Sequence, residues 1–321
     1  MAAAGPGVSV MRQTMDGQAE ALARILADEA PVAAVAERLR GRRVLVIGTG
    51  TSWHAASQTA ALLRAAGLTP GPRSLPMPLW TARCPARAAR CWRSPIRAPS
   101  GTPRRLCSAR SSGAQVIQVC GVGVEGADLV TVPRERSSAY TASHLGALLR
   151  AAQLARVLGA HLPGLGEVPA AVEDAYRRRQ GDRPVPPARL IEFIGGGINQ
   201  WTAAEGALKI REAAYVASEG LAVEQFLHGP SVALGPDDRL VCLDGGSAWS
   251  ARIAEVAQAA EQAGVPVTRV ADDRLGELLS IFPLTVAVQR IALEAAETLG
   301  VNPDTFGLDR PGHQGWDRLE L

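Results

Sequence analysis

The sequence VLVIGTGTS at residues 44–52 joins an apolar run to a glycine turn and a hydroxyl-rich start of an alanine-rich stretch. This order predicts a β-strand, a tight turn and then a helix. The sequence IEFIGGGIN at residues 191–199 has the same form. The two segments align without gaps at an offset of 147 residues, which pairs Gly50 with Gly197. The chain therefore carries an internal repeat of a strand–turn–helix unit.

Further strand-like runs follow each copy of the repeat, at residues 114–120 and 239–243. Apolar strands that alternate with helical patterns indicate a parallel sheet with helices on both faces, so the sequence predicts two doubly wound α/β domains. The N-terminal part is expected to hold a docking helix, from Met11 to about Ala30, and its successor. The predicted division is an N-terminal helical segment at 1–42, a first domain at 43–159, a proline-rich linker around a short charged helix at 160–188, and a second domain with a C-terminal tail at 189–321.

The composition of the 321 residues favours a two-domain globular protein in a reducing compartment. The formal net charge of +3 is small, and no basic face with interleaved aromatic residues is evident, so neither nucleic acid nor a membrane is predicted as a partner. No apolar run approaches the roughly 20 residues of a membrane span, and the N-terminus lacks the pattern of a secretory signal. The five cysteines have no metal-site spacing. We therefore predict a cytoplasmic protein without a metal or other cofactor.

The first glycine turn has the chemistry of a phosphate site. Backbone N–H groups at a helix N-terminus bind anions, and Thr51 and Ser52 add hydroxyl donors beside Gly50. A tight turn in any α/β protein is the alternative interpretation. A dinucleotide fold is disfavoured, because neither copy has G-x-G-x-x-G with an acidic residue about 20 positions later.

The two copies of the repeat differ where charged residues enter the second one. Across the offset, Gln58 and two apolar residues become Glu205, Lys209 and Glu212, which share one helix face at positions i, i+4 and i+7. Lys209 is the only lysine of the chain. A solvated surface face is one interpretation. The other is a carboxylate base with a nearby cation, as proton abstraction beside a sugar carbonyl requires.

A histidine follows downstream in the sequence QFLHGP at residues 225–230. A lone histidine is more often structural than catalytic. Here the Gly229-Pro230 turn that follows places the ring of His228 on a loop, where it could act as a proton shuttle.

Four segments together resemble the isomerase domain of glucosamine-6-phosphate synthase, a member of the sugar-isomerase (SIS) family. They are EGALKIRE at 205–212, LHGP at 227–230, GTSWHA at 50–55 and SAYT at 138–141. The resemblance implies two SIS domains, each a flavodoxin-like three-layer sandwich, that bind a sugar phosphate as a homodimer.

The resemblance also implies roles for individual residues. Glu212 would be the base that moves a proton between C1 and C2, and His228 would assist ring opening across a dimer interface. Lys209 and Glu205 would position the base and the substrate hydroxyls. The groups implied to bind the phosphate are Gly50, Thr51, Ser52, Ser100, Gly101 and Thr102, and those implied to face the sugar are Ser138 and Thr141.

The chain departs from the family's pattern at three places. It opens with Met1-Ala2-Ala3, without a cysteine nucleophile, so no glutaminase domain is expected. The family's C-terminal lysine loop is matched only by GLDR at 307–310, and Gln225 stands where the family has glutamate. These differences favour a stand-alone hexose or hexosamine 6-phosphate isomerase, or an amino-sugar-phosphate deaminase.

Residues 71–112 have an irregular composition, with nine arginines, three cysteines and two tryptophans. No acidic residue occurs between Arg38 and Val124. The segment is either a basic surface for an acidic partner or a frameshifted stretch, and a frameshift would remove a central strand and part of the phosphate site.

Two other classes of protein remain open. One is a sugar-phosphate sensor without turnover, although such regulators usually carry a helix-turn-helix domain that is not found here. The other is a degenerate paralogue with a damaged site.

Overall fold

The computed structural model describes residues 8–68, 115–178, 189–313 and 315. Within them ten α-helices and six β-strands follow one another along the chain. The helices are α1 (Val10–Asp16), α2 (Gln18–Ala27), α3 (Ala30–Leu39), α4 (Thr51–Ala65), α5 (Ala142–Val157), α6 (Val168–Arg177), α7 (Gln200–Ala213), α8 (Val223–Leu227), α9 (Ser250–Gln262) and α10 (Ile281–Leu299). The strands are β1 (Val119–Cys120), β2 (Leu129–Val130), β3 (Leu190–Gly195), β4 (Ala217–Ala222), β5 (Arg239–Asp244) and β6 (Val267–Ala271).

The second half of the chain forms a four-stranded parallel sheet in the order β4-β3-β5-β6. Successive side chains of β3 point to opposite faces, as the period of a strand requires. Phe193 packs in a core with α7 and α10, whereas Ile194 packs in a core with α8 and α9. Helices therefore cover both faces, and the predicted α/β fold with a parallel sheet is confirmed.

The first half is less regular than predicted. Among the described residues, 44–47 join no strand ladder, and Leu45 and Ile47 are exposed. Of the described part of the predicted strand at 114–120, only β1 forms, and it pairs in parallel with β2. Val44 and Val46 pack against the core of the first half, so one face of 44–47 is covered. A strand also needs a neighbouring strand, and the described residues supply none to 44–47. The strand prediction at 44–47 is therefore not met, and the irregular segment 71–112 lies outside the described residues.

The glycine turns of the repeat have the same backbone geometry in both copies. Gly50 has φ +56° and Gly197 has φ +54°, a region that glycine adopts readily. A Cβ atom on Gly48 would lie 2.0 Å from the carbonyl oxygen of Ser52, and one on Gly195 would lie 2.3 Å from that of Asn199. Only glycine fits the first position of each turn, so the repeat seen in the sequence is also a structural repeat.

Three helices, instead of the two expected, precede the first glycine turn. The predicted helix from Met11 to about Ala30 is interrupted at Gly17, whose N–H bonds back to carbonyls of α1. The helix α2 then buries Leu22 and Ile25 in a core that it shares with α5. The helix α2 is thereby packed onto the first half, whereas α1 buries Met11 and Met15 in the core of the second half.

The helix predicted inside the proline-rich segment 160–188 is α6. It contacts both α2 and α10, and Val168 and Val172 are buried in the same core as Leu22. This part of the segment therefore packs against both halves of the chain. Among the described helices, none is long and apolar enough to cross a membrane.

Candidate active site

The helix α7 carries the charged residues that distinguish the second copy of the repeat. It packs against α4 of the first half and against β4 and α10 of the second. The side chains of Glu205 and Lys209 are 0% exposed, and that of Glu212 is 18% exposed. The alternative of a solvated surface face is therefore wrong for Glu205 and Lys209.

Lys209 links the two carboxylates of the helix. Its Nζ lies 3.4 Å from Oε1 of Glu205 and makes a closer ion pair with Oε2 of Glu212. A buried ammonium group is tolerated when ion pairs and hydrogen bonds compensate for its lost hydration. The pair of carboxylates supplies this compensation, and Lys209 in turn fixes the position of Glu212.

The first half of the chain contributes two groups to this cluster. Oγ1 of Thr51 donates to Oε1 of Glu205 at 3.1 Å, and Nδ1 of His54 lies 2.7 Å from Oε2 of the same carboxylate. Because a carboxylate only accepts, Nδ1 of His54 is the donor. A continuous series of contacts thus runs from His54 through Glu205 and Lys209 to Glu212.

The environment sets the charges of the cluster. Burial alone would raise the pKa of Glu205, but the charge of Lys209 and the hydrogen bond from His54 hold it at about 2. Burial would lower the pKa of Lys209, and the two neighbouring carboxylates raise it instead. Burial raises the pKa of Glu212 above its usual value, against the opposing charge of Lys209. Glu212 is therefore the more basic of the two carboxylates.

A second histidine, His144, lies beside this cluster on the first turn of α5. It is 2% exposed, and neither ring nitrogen has a hydrogen-bond partner among the described residues. Burial lowers its pKa, and the charges that act on it are those of Glu205, Lys209 and His54. Neither histidine is predicted from the sequence to have a role. The place of His54 in the GTSWHA segment could have pointed to a role at the site. For His144 the only sequence clue is that it follows SAYT at 138–141.

The predicted phosphate-binding residues are only partly within the described chain. Gly50 precedes α4, Thr51 begins the helix, and Ser52 is exposed. Ser100, Gly101 and Thr102 lie outside the described residues. The phosphate site at the first glycine turn therefore stays a prediction.

The two residues predicted to face the sugar lie just before α5. Thr141 is fully buried, and its hydroxyl donates to Oε2 of Glu135 at 2.9 Å. Glu135 also accepts from the backbone N–H groups of Thr141 and Ser143, so it satisfies the start of α5. Ser138 is half-buried, and its N–H donates to the carbonyl oxygen of Asp304. The sugar-binding role of both residues stays a prediction.

His228 directly follows α8. It is exposed, and its Nδ1 lies 2.7 Å from the carbonyl oxygen of Glu224. Since a carbonyl only accepts, Nδ1 carries the proton and Nε2 remains available to solvent. Among the described residues, no hydrogen bond connects His228 with Lys209 or Glu212.

The segment expected to match the family's lysine loop packs at the end of α7. Tyr215, three residues after Glu212, has φ +60°. Its hydroxyl group accepts from the N–H of Gly307 at 2.9 Å, and the guanidinium of Arg310 lies 4.9 Å from the centre of its ring. The C-terminal segment is thus attached to the helix that carries the charged cluster.

The chain is similar in sequence to glutamine–fructose-6-phosphate aminotransferases (isomerizing). It is 33% identical to that of Pyrococcus horikoshii over 126 residues, which are 35% of this chain and 21% of the relative. It is 26% identical to that of Gloeobacter violaceus over 300 residues, which are 78% of this chain and 49% of the relative. The chain thus spans half the length of these curated relatives or less. No family model matches the chain.

Solved structures with the same fold cover almost the whole chain. The C-terminal domain of glucosamine-fructose-6-phosphate aminotransferase from Francisella tularensis has a TM-score of 0.67 at 14% identity, with 93% of this chain and 99% of that chain covered. Tagatose-6-phosphate ketose/aldose isomerase from Escherichia coli has a TM-score of 0.70 at 15% identity, with 94% and 98% covered. The α/β fold with parallel strands expected from the resemblance to SIS proteins is therefore confirmed, and its division into two doubly wound domains is confirmed only in part. The resemblance in sequence to the isomerase part of the aminotransferases is also confirmed.

Proposed function

We propose that the protein is a phosphosugar isomerase that interconverts the aldose and ketose forms of a hexose or hexosamine 6-phosphate. The observation that supports it most is the arrangement of Lys209 between Glu205 and Glu212 on one helix face. Glu205 and Lys209 are shielded from water, whereas Glu212 is partly exposed to solvent. Aldose–ketose isomerisation needs one base that takes a proton from carbon and returns it to the neighbouring carbon.

Glu212 is the base in this proposal. Its carboxylate removes the proton from C2 of the aldose, and the electron pair forms a cis-enediol or enediolate. The hydroxyl proton passes from O2 to O1, the carbonyl forms at C2, and the same carboxyl group delivers its proton to C1. The reverse order serves the ketose. The raised pKa of Glu212 favours this role, because a carboxylate of ordinary acidity is a weak base toward carbon.

Lys209 and Glu205 support the base. The Lys209 ammonium holds Glu212 and offsets the negative charge that develops on the enediolate. Glu205, kept ionised at a pKa of about 2, retains Lys209 in its charged form throughout the reaction. The two flanking carboxylates therefore have different tasks, one structural and electrostatic, the other chemical.

The substrate phosphate would bind at the first glycine turn, where Gly50, Thr51 and Ser52 lead into α4. Thr51 also contacts Glu205, so the phosphate site and the charged cluster are joined through one residue. The exposed Nε2 of His228 is suited to act in the site of a second chain of a homodimer, where it would protonate the ring oxygen as the sugar opens.

A turnover screen tests this proposal. The protein is incubated in D₂O with fructose 6-phosphate, tagatose 6-phosphate and glucosamine 6-phosphate, and the products are identified by NMR together with an ammonia assay. Isomerase action gives the matching aldose or ketose with deuterium at C1 or C2. Ammonia release would instead identify a deaminase, and saturable binding without product or exchange would identify a sensor, and either result overturns the isomerase proposal.

A further inference from the structure

His144 is a buried titratable group that the proposed mechanism does not use. It lies on the first turn of α5, a helix that packs on α4, and neither ring nitrogen has a partner within the described residues. Most buried polar atoms of proteins are hydrogen-bonded, because an unpaired one loses its hydration without compensation. An unpaired and almost fully buried imidazole on which the charged cluster acts therefore calls for a functional explanation.

The groups that face His144 come from two helices. From α7 they are Glu205, which favours the protonated ring, and Lys209, which opposes it. From α4 they are His54, which also opposes protonation, and the backbone of Thr51, which favours it. The helix α5 has no acidic residue, and Glu135, which precedes it, is committed to Thr141 and Ser143. Burial is the largest influence on the ring, and it keeps His144 neutral in the ligand-free protein.

The backbone of Thr51 connects His144 to the predicted phosphate site. Thr51 is the first residue of α4, and it follows the glycine turn directly. A phosphate dianion held by that turn would bring negative charge close to a ring that is shielded from water. Charges interact strongly where water is excluded, so the dianion would stabilise an imidazolium there.

We propose that His144 takes up a proton from solvent when a phosphate-bearing ligand binds at the turn formed by Gly50, Thr51 and Ser52. The inference rests on the proposed function, since it needs the phosphate to bind there. The step is a simple protonation, in which one proton passes from the buffer to the neutral imidazole and no bond of the ligand changes. The imidazolium then balances charge that Lys209, already paired with two carboxylates, does not neutralise.

Proton uptake has a direct thermodynamic consequence. A ligand whose binding takes up a proton loses affinity as pH rises, by about tenfold per pH unit for one full proton. The protein would therefore bind sugar phosphate more tightly as the pH falls from 8.5 to 7. Uncharged sugars would not show this dependence.

Isothermal titration calorimetry with fructose 6-phosphate at pH 8 measures the uptake, through the heat of binding in buffers of different ionisation enthalpy. At this pH the ligand is already a dianion, because its second pKa is near 6. We expect uptake of between about one half and one proton per ligand. His144→Gln should reduce the uptake to less than about a third of that of the unmodified protein. The matched control, His161→Gln, changes an exposed histidine and should leave the uptake as it is.

Histidine NMR on the unmodified protein provides a second measurement that does not depend on the folding of a variant. The ring signals of His144 should change from neutral to protonated on addition of fructose 6-phosphate at pH 8, while those of His161 stay unchanged. Binding with no change at His144, or uptake that persists in His144→Gln, overturns the inference and leaves the proposed function standing. Absence of binding by fructose 6-phosphate, glucosamine 6-phosphate and inorganic phosphate overturns the proposed function together with the inference.

Discussion

Glu205 and Gln58 occupy equivalent positions in the two copies of the repeat, and each reaches across to the helix of the other half. Glu205 on α7 accepts from His54 of α4 at 2.7 Å, and Nε2 of Gln58 on α4 donates to Oγ1 of Thr202 on α7 at 3.0 Å. Each of these two residues thus links its own helix to the other one, Glu205 through a charged link and Gln58 through a neutral link. The charged link belongs to the candidate active site, and the neutral link serves the packing of the two halves.

Replacing Glu212 with Gln should lower turnover by about a thousandfold and leave binding of the sugar phosphate within a few-fold. An amide is close in shape to the carboxyl group but cannot accept a proton from carbon. Steady-state kinetics and calorimetric binding measure the two effects separately. Glu37→Gln, on the exposed side of α3, is the control and should keep full activity. A Glu212→Gln protein with normal turnover would show that another group is the base.

Replacing Lys209 with Arg should lower kcat by about a hundredfold, although the charge is kept. The guanidinium is wider than an ammonium and cannot occupy a fully buried site between two carboxylates without moving Glu212. The control is the opposite substitution, Arg211→Lys, at an exposed position two residues away on the same helix. It should have no effect on kcat. Equal kinetics of Lys209→Arg and the unmodified protein would contradict a specific role for the ammonium group.

Replacing Glu192 with Gln should stabilise the protein at pH 8 and have little effect at pH 5. Burial, with Glu219 and Asp238 nearby, raises the pKa of this carboxyl on β3 to about 7 from its usual 4.5. The folded protein therefore holds a proton that the unfolded chain releases between these values, so stability falls as the pH rises from 4.5 to 7. The amide removes this loss, which we expect to be about 3 kcal/mol.

Urea unfolding at both pH values measures the effect of Glu192→Gln. The control is Glu125→Gln, an exposed site whose difference from the unmodified protein should not depend on pH. An equal effect of Glu192→Gln at pH 5 and pH 8 would mean that Glu192 titrates normally in the folded protein.

Replacing Arg150 with Met should cost about 3 kcal/mol of stability. This guanidinium on α5 is almost fully buried, donates to the carbonyl oxygens of Val130 and Asp28, and pairs with the carboxylate of Asp28. Removal leaves these acceptors without their buried donor. Arg156 on the same helix makes an exposed pair with Glu29, and Arg156→Met should cost less than about 1 kcal/mol. Comparable losses for both variants would contradict a special role for the buried arginine.

The sequence was informative where the signal is local. The helix face that carries Glu205, Lys209 and Glu212 follows from their spacing alone, and the glycine turns follow from the gap-free repeat. Both features depend on neighbours within a few residues along the chain, and the spacing of a helix or turn fixes which residues meet.

Features set by distant contacts were not predicted. His144 enters the site because α5 packs on α4, a contact between segments that lie about 90 residues apart in the chain. The interruption at Gly17 was missed because its neighbours fit a continuous amphipathic helix. The packing of α6 on both halves likewise depends on α2 and α10, which come from opposite ends of the sequence.

The attachment of the C-terminal segment to Tyr215 has a practical consequence for handling the protein. The tyrosine hydroxyl donates to the carbonyl oxygen of Asn302, while Asp304 accepts from the first N–H groups of α1. Residues 302–310 therefore tie the start of the first helix to the end of the helix that carries Glu212. Truncation before Asn302 would remove the contacts that hold the end of the helix carrying Glu212, and would so disturb the position of the proposed base. No residue assigned to the reaction would be lost. Expression with an affinity tag is accordingly safest with the native C-terminal segment left intact.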